Sequence, residues 1–438
     1  MPIFLQKSLQ WAQDFKTFVY LNPNEIAYPH EPFLHVLAVG EKRKISSIEN
    51  VNIGKNTSFD KLYNFWKNKN SWLFGYFNYD LKNELEDVFS NNLDRLNFPE
   101  FYFFEPTYLF FFDNKGNLIF DKTTAENGLD DNTLSKLIEE IESTEIKSDS
   151  QLLVSPPTTK KKINCRFSEE EYLQNVEKIK NHIVEGDVYE LNLCIEFFIE
   201  KLELNPLEAY KELCKISKMP FSSFLKITID DSEKYAICAS PERFLKKTGN
   251  TLISQPIKGT VKRGKTEEED EALKNYLRTS EKERAENMMI VDLVRNDLAR
   301  SAEIGSTHAS EIFGIYSFQQ VHQMISTVEA TLAQDKTWAD ALKNAFPMGS
   351  MTGAPKIKAT ELIEKYEKTK RGLYSGSIGY ITPRGDFDFN VVIRTLFYDT
   401  LSKYASFQVG GAITYDSDPQ SEWEECLLKA KAIRSLFE

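Results

Sequence analysis

Apolar and polar positions alternate most regularly after residue 162. Ser168 and Glu171 form a capping box, Tyr172, Val176, Ile179 and Ile183 recur at helical spacing, and Gly186 predicts the stop. A strand is predicted next. Over residues 188–197 the odd positions Tyr189, Leu191, Leu193, Ile195 and Phe197 are apolar, while Glu190, Asn192 and Glu196 point the other way. Strand pairs are predicted at 224–229 with 235–238, at 244–247 with 252–255 across Thr248-Gly249-Asn250, and at 373–382 with 387–397 across Pro383-Arg384-Gly385-Asp386. Hairpins separated by long helices predict an α+β chain with antiparallel sheets, not parallel βαβ units. Earlier, the aromatic runs WLFGYFNYDL (72–81) and FYFFEPTYLFFFD (101–113) read as strands. Residues 141–162 turn polar and charged, which places a boundary between an N-terminal region, 1–150, and a domain spanning 165–438.

Composition narrows the function. The 438 residues carry 54 Lys+Arg and 66 Asp+Glu, a net charge of −12. The basic residues are interleaved with acids, so no nucleic-acid footprint exists. The most apolar run, 101–112, is broken by Glu105 and Pro106 and is shorter than the ~20 residues a membrane span needs. The N-terminus lacks the charged and apolar regions of a secretory signal, so a cytoplasmic protein is expected. Five scattered cysteines with no C-x-x-C pair argue against disulfides and zinc.

Four groups could carry chemistry. On one predicted helix Glu283, Glu286, Ile290 and Leu293 share a side, with Ser280 and Glu283 as a second capping box; on another, begun by Pro419, Glu422, Glu425 and Lys429 share a face. Facing helices with two carboxylates each suit a hard cation such as Mg2+, whereas capping and i,i+4 pairing explain the same spacing without one. The small-residue loop 349–356 (GSMTGAPK) runs into a helix start and is either an anion site or a tight turn; it is not a nucleotide-binding P-loop. Lys258, between a strand and Gly259, is either a desolvated nucleophile or a surface charge. His322 is either an acid/base or a satisfied core residue.

Taken together, SPE (240–242), PIKGT (256–260), KERAENMMIVDLVRNDLAR (282–300), FPMGSMTGAPK (346–356), RGLYSGSIGY (371–380) and DSDPQSEWEE (416–425) closely resemble, in order and spacing, the chorismate-utilising enzymes. This family includes the large components of anthranilate synthase and aminodeoxychorismate synthase and the isochorismate and salicylate synthases. The resemblance covers residue 167 to the C-terminus, and GYFNYD (75–80) is similar to a segment of the family's N-terminal part.

The resemblance implies an antiparallel β-sandwich with flanking helices, into which the N-terminal region packs. It implies Mg2+ on Glu286 and Glu425, supported by Glu283 and Glu422. The pyruvyl carboxylate of chorismate would meet Tyr374, Arg394, backbone groups at Gly410 and Gly411, and Lys429. Ser350 and Thr352 would line the pocket, with His322 and Thr327 near the ring. The residue after Pro-Ile separates the branches: anthranilate synthases carry Ala, and aminodeoxychorismate synthases carry Lys, as here at Lys258. In that branch the lysine amine adds to C2 and expels the C4 hydroxyl, ammonia then displaces it at C4, and Glu242 is the general acid and base.

Glu190 departs from the pattern, because amine-using members usually carry Gln there and water-using ones a catalytic Lys. The missing lysine weighs against isochorismate or salicylate synthesis, and capture of ammonium is a role open to the carboxylate. Ala412 stands where relatives often have glycine. No counterpart of the family's tryptophan-binding motif is found, and none of the cysteines has a glutaminase setting, so ammonia is expected from a separate glutaminase subunit in a heterodimer. The competing readings are an anthranilate synthase large component and a noncatalytic chorismate-binding subunit.

Overall fold

The computed structural model describes residues 1–48, 57–146, 162–319 and 321–438. The strands are β1 (Phe18–Asn22), β2 (Val36–Ser46), β3 (Leu73–Phe77), β4 (Phe101–Phe111), β5 (Asn164–Cys165), β6 (Glu190–Ile199), β7 (Phe221–Ile229), β8 (Ser232–Ser240) and β9 (Arg243–Thr248), then β10 (Thr251–Gln255), β11 (Ile257–Lys262), β12 (His308–Ser317), β13 (Val321–Thr331), β14 (Gly353–Ala354), β15 (Ser377–Ile381), β16 (Phe387–Asn390), β17 (Thr395–Asp399) and β18 (Tyr404–Ile413). The helices are α1 (Ile3–Ala12), α2 (Ser58–Lys67), α3 (Phe120–Asn127), α4 (Asp131–Ser143), α5 (Glu169–Val184), α6 (Pro206–Ile216), α7 (Glu267–Thr279), α8 (Glu281–Ala299), α9 (Trp338–Ala345), α10 (Lys356–Tyr366) and α11 (Pro419–Arg434).

All eighteen strands of the described residues belong to one antiparallel network. From β13 the pairing runs through β10, β9, β16, β15, β3, β4, β2 and β1. It continues through β7, β8, β17 and β18 to β6. N-terminal and C-terminal strands therefore share the same ladders: β1 pairs with β7, and β3 with β15.

Successive residues of one strand enter different cores, because side chains alternate across a sheet. On β1, Val19 and Leu21 join a core with β3, β4, β13, β15 and α8, whereas Phe18 and Tyr20 join a second core under α1, α5, α6, α10 and α11. Burial on both faces explains why the run 101–113 is aromatic almost throughout instead of alternating.

The capping box at Ser168 and the helix to Val184 form as expected, as do the first two hairpins. In the third, β15 pairs with β16, but the run 387–397 is not one strand. The chain leaves the ladder after Asn390, passes Arg394 at φ 51°, and resumes as β17 between β8 and β18. Tyr189 is exposed, because β6 begins at Glu190. The polar side of β6 is not solvated either: Glu190, Asn192 and Glu196 are all buried. Of the predicted boundary 141–162, Ile141 is a buried residue of α4, and 147–161 lie outside the described residues.

Candidate active site

Lys258 is the second residue of β11, and its Nζ lies 3.9 Å from Glu190 Oε2 on β6, near the other end of the strand path. The lysine side chain is 14% exposed and the glutamate 1%. Asn287 of α8 donates from Nδ2 to the Lys258 carbonyl over 3.4 Å, and Ser326 of β13 donates to Asn287 Oδ1. The strand bearing the amine is thus fastened from two sides. Burial pushes the Glu190 carboxyl up; the Lys258 charge opposes this and Glu286 adds to it.

Glu242 sits in the tight link between β8 and β9, its N–H donating to Ser240 Oγ and its carbonyl accepting from Val391. Burial pushes its carboxyl up to about 7, against a hydrogen bond from Ser350 and the charges of Lys258 and Arg394. Arg394 is held at about 10 by burial, and it has no ion pair within 4.0 Å among the described residues. Its Nη1 donates to Met219 Sδ at 3.7 Å. A desolvated guanidinium with only the more distant Glu242 carboxyl to offset its charge is a ready site for an anion.

The two acidic helices lie near enough for the charge of Glu425 on α11 to act on Glu283 of α8. Ser280 caps α8 by accepting from the Glu283 N–H at 3.4 Å, but the capping box stays half made. The Glu283 carboxylate instead lies against β11, with Oε2 3.0 Å from where a Cβ on Gly259 would be. From α11, Glu422 accepts from Ser417 Oγ at 2.7 Å and Glu425 pairs with Lys429 at 2.7 Å. Burial and neighbouring carboxylates (Glu286 and Glu425 for Glu283, Glu425 for Glu422) push Glu283 and Glu422 up, whereas Lys429 holds Glu425 down. A donor set made only of carboxylate oxygens, crowded enough to resist ionisation, fits a hard dication. The one trio of possible ligands within 4.8 Å of one another among the described residues lies elsewhere, at His182, Glu185 and Asp187. There both ring nitrogens of His182 are already engaged, by Asp187 and by the Tyr366 hydroxyl.

The remaining expected residues divide. Lys429 donates to the Gly410 carbonyl at 2.8 Å, and a Cβ on Gly411 would stand 3.1 Å from Glu422 Oε2, so β18 and α11 meet at the acidic cluster. Tyr374 is buried, its hydroxyl 3.8 Å from Cys194 Sγ. Ser350 reaches Glu242, but Thr352 spends its hydroxyl on the carbonyls of Met348 and Gly349, shaping the loop from within. His322 is buried between Ser317 and Asp270, 2.8 and 2.9 Å away, and Thr327 accepts from Gln255. His322 is thus held between β12 and α7 and Thr327 beside β10, and among the described residues no hydrogen bond or ion pair joins either to Lys258.

Two residues that hold the site were not singled out from the sequence. Asn192 donates from Nδ2 to the Ser350 carbonyl at 2.7 Å. Arg371, ion-paired to Glu367 with both buried, donates to the carbonyls of Met351 and Asn192. The signal for Asn192 was present, since a polar side on a strand next to an otherwise apolar run must find partners if buried.

Residues 12–435 match the model of the chorismate binding enzymes. The chain is 36% identical over 367 residues to aminodeoxychorismate synthase component 1 of Bacillus subtilis (strain 168), covering 83% of this chain and 76% of that protein. It is 41% identical over 287 residues to a probable chloroplastic aminodeoxychorismate synthase of Oryza sativa subsp. japonica, covering 65% of this chain and 32% of that protein, so it spans about a third of the rice relative. The crystal structure of anthranilate synthase component I from Streptococcus pneumoniae TIGR4 superposes with a TM-score of 0.77 at 26% identity, covering 93% of each chain.

Proposed function

The chain belongs to the chorismate binding enzymes, and on that premise we propose that it aminates chorismate at C4 to give 4-amino-4-deoxychorismate, with ammonia supplied by a separate glutaminase subunit. The observation that carries this reading is Lys258, a mostly buried amine on a strand anchored by Asn287, in the electrostatic reach of a carboxyl held near neutrality. The relatives named aminodeoxychorismate synthase support the choice of branch.

The amine of Lys258 attacks C2, the ring electrons shift, and the C4–O bond breaks as Glu242 delivers its proton, releasing water. Ammonia then forms the C4–N bond while the C2–N bond breaks and its electron pair returns to Lys258; Glu242 removes a proton from the new C4 ammonium. A carboxyl poised at about 7 can be acid in the first half and base in the second near neutral pH. Arg394, Lys429, Tyr374 and the backbone at Gly410 and Gly411 receive the pyruvyl carboxylate, Ser350 and Thr352 shape the wall, and His322 and Thr327 brace the strand behind it. Glu286 and Glu425 would hold Mg2+, with Glu283 and Glu422 in support; bound there, the ion would supply charge to orient the ring carboxylate and offset it.

The product then serves a lyase that forms 4-aminobenzoate for folate, in the cytoplasm. No helix of the described residues is long and apolar enough to cross a membrane. The test is product identification by chromatography and mass spectrometry after incubation with chorismate, Mg2+ and ammonium. An aminated chorismate that keeps its pyruvyl group supports the reading. Anthranilate with released pyruvate moves the chain to the tryptophan branch, and no turnover even with a glutaminase reduces it to a chorismate-binding subunit.

A further inference from the structure

Glu190 is a buried carboxylate with no hydrogen bond to either oxygen, a condition no other carboxylate among the described residues shares. The reason lies in its neighbours. β14 pairs with β6 at Leu191 and Glu190, and β14 consists of Gly353 and Ala354, which bring backbone but no donor side chain. The charged groups that face Glu190 are Lys258 from β11 and Glu286 from α8. Lys258 also answers to Glu242, Glu283 and Glu425, so several anions share this one amine. When Lys258 bonds to the ring, its nitrogen is committed there, and Glu190 remains an unsatisfied acceptor beside the reacting carbons.

We propose that Glu190 binds the nitrogen substrate as ammonium and takes its proton. The inference rests on the C4-amination reading above and adds the form in which nitrogen is recognised. Ammonium offers a positive charge and N–H donors to a carboxylate, whereas an amide in that position would favour neutral ammonia. The protons balance as follows. Lys258 gives its proton to solvent as chorismate binds and then attacks C2, while Glu242 protonates the departing hydroxyl. Ammonium gives one proton to Glu190, the freed lone pair forms the C4–N bond, and the C2–N electrons return to Lys258. Glu242 takes a proton from the C4 ammonium, and Glu190 passes its proton to the Lys258 amine, restoring the ion pair. Each turnover converts chorismate and ammonium to product, water and one proton.

The experiment uses the full chain with chorismate, Mg2+ and ammonium chloride, following KM for total ammonia against pH for wild type, E190Q and E190D. Intact mass records the Lys258 adduct formed without ammonium. Wild type is expected to keep KM for total ammonia within about twofold between about pH 7 and 8, while in E190Q it rises about tenfold for each unit the pH falls, following free ammonia. E190D, which keeps the charge, retains the flat profile with a higher KM. The adduct and the KM for chorismate persist in E190Q, which shows that the variant is folded and competent in the first half-reaction. E190Q with the wild-type profile, or E190D with the steep one, overturns the ammonium site while leaving C4 amination standing. Wild type that forms neither adduct nor aminated product overturns both.

Discussion

Lys356 donates from Nζ to Asp297 Oδ2 over 2.6 Å, and both side chains are at least nine-tenths buried. The pair joins the last turns of α8 to the first residue of α10, spanning the loop that presents Ser350 to Glu242. Removing one member leaves the other charge buried without a partner, so D297A is expected to lose about 3–5 kcal/mol of stability. The double variant D297L/K356M, which removes both charges, is expected to recover most of it. Denaturant unfolding of the three proteins measures this, and full stability in D297A would show the pair to be slack.

Glu242 gives a pH dependence with a definite sign. Its carboxyl is raised from 4.5 to about 7, so between those values the folded protein holds a proton that the unfolded chain has released. Stability attributable to this group is therefore full below about pH 4.5, falls as pH rises through that window, and stays low above it. E242Q, which cannot ionise, is expected to be more stable than wild type at pH 8 by up to about 3 kcal/mol, with the gap closing toward pH 4.5. It is also expected to form no Lys258 adduct. Thermal unfolding across pH tests the first expectation, and a gap that widens in acid contradicts it.

K258A tests the amine itself. Loss of the nucleophile is expected to lower amination at least about a thousandfold, and the mass shift of chorismate less water disappears. Chorismate binding should survive, since Arg394 and Lys429 remain; isothermal titration with Mg2+ present checks this. Retention of amination at a tenth of the wild-type rate would remove Lys258 from the reaction.

The acidic cluster predicts opposite effects with and without metal. Because burial and Glu425 push the Glu422 carboxyl up, ionised Glu422 opposes folding in metal-free protein at neutral pH. E422Q is expected to raise the melting temperature in EDTA and to weaken Mg2+ binding in titration. E286Q, with its side chain beside Lys282 at 3.9 Å, should weaken Mg2+ binding further and raise the Mg2+ needed for activity. A Glu422 variant that changes neither quantity would leave capping and ion pairing as the whole account of these helices.

Much of this arrangement could be read along the chain, and the failures have physical causes. Helix starts were legible at Ser168 and Pro419 because caps are local chemistry. Hairpins were legible where a short turn joins two strands, as at Gly249-Asn250. The break at 391–394 was not, since Val391, Val392 and Ile393 carry every mark of a strand and only tertiary pairing of β17 with β8 ends the run. Likewise, alternation in 188–197 gave the two sides of β6 but not which medium each side meets. The polar side is buried, Glu190 against β14 and Lys258 and Glu196 against Arg166 and Tyr404, so neither is a surface glutamate. His322 shows the reverse: a lone histidine on an apolar strand, satisfied at both nitrogens by Ser317 and Asp270.

The glycines of β18 differ from Ala412 in a way that can be tested. β18 lies against β6 with Gly410 opposite Cys194 and Ala412 opposite Asn192. A Cβ on Gly410 would stand 2.6 Å from both Cys194 Sγ and the Leu193 carbonyl oxygen, closer than a methyl group tolerates. Ala412 already carries a Cβ in the same ladder and stays paired, so its position has room that Gly410 lacks. G410A must push β18 from β6, shifting the carbonyl that Lys429 donates to and the approach of Glu425. It is expected to cost about 1–3 kcal/mol from overpacking and to raise KM for chorismate, whereas A412G should change KM little and lose under about 1 kcal/mol. Steady-state kinetics with unfolding curves on both variants decide it, and a benign G410A would mean that the strand yields without disturbing the pocket.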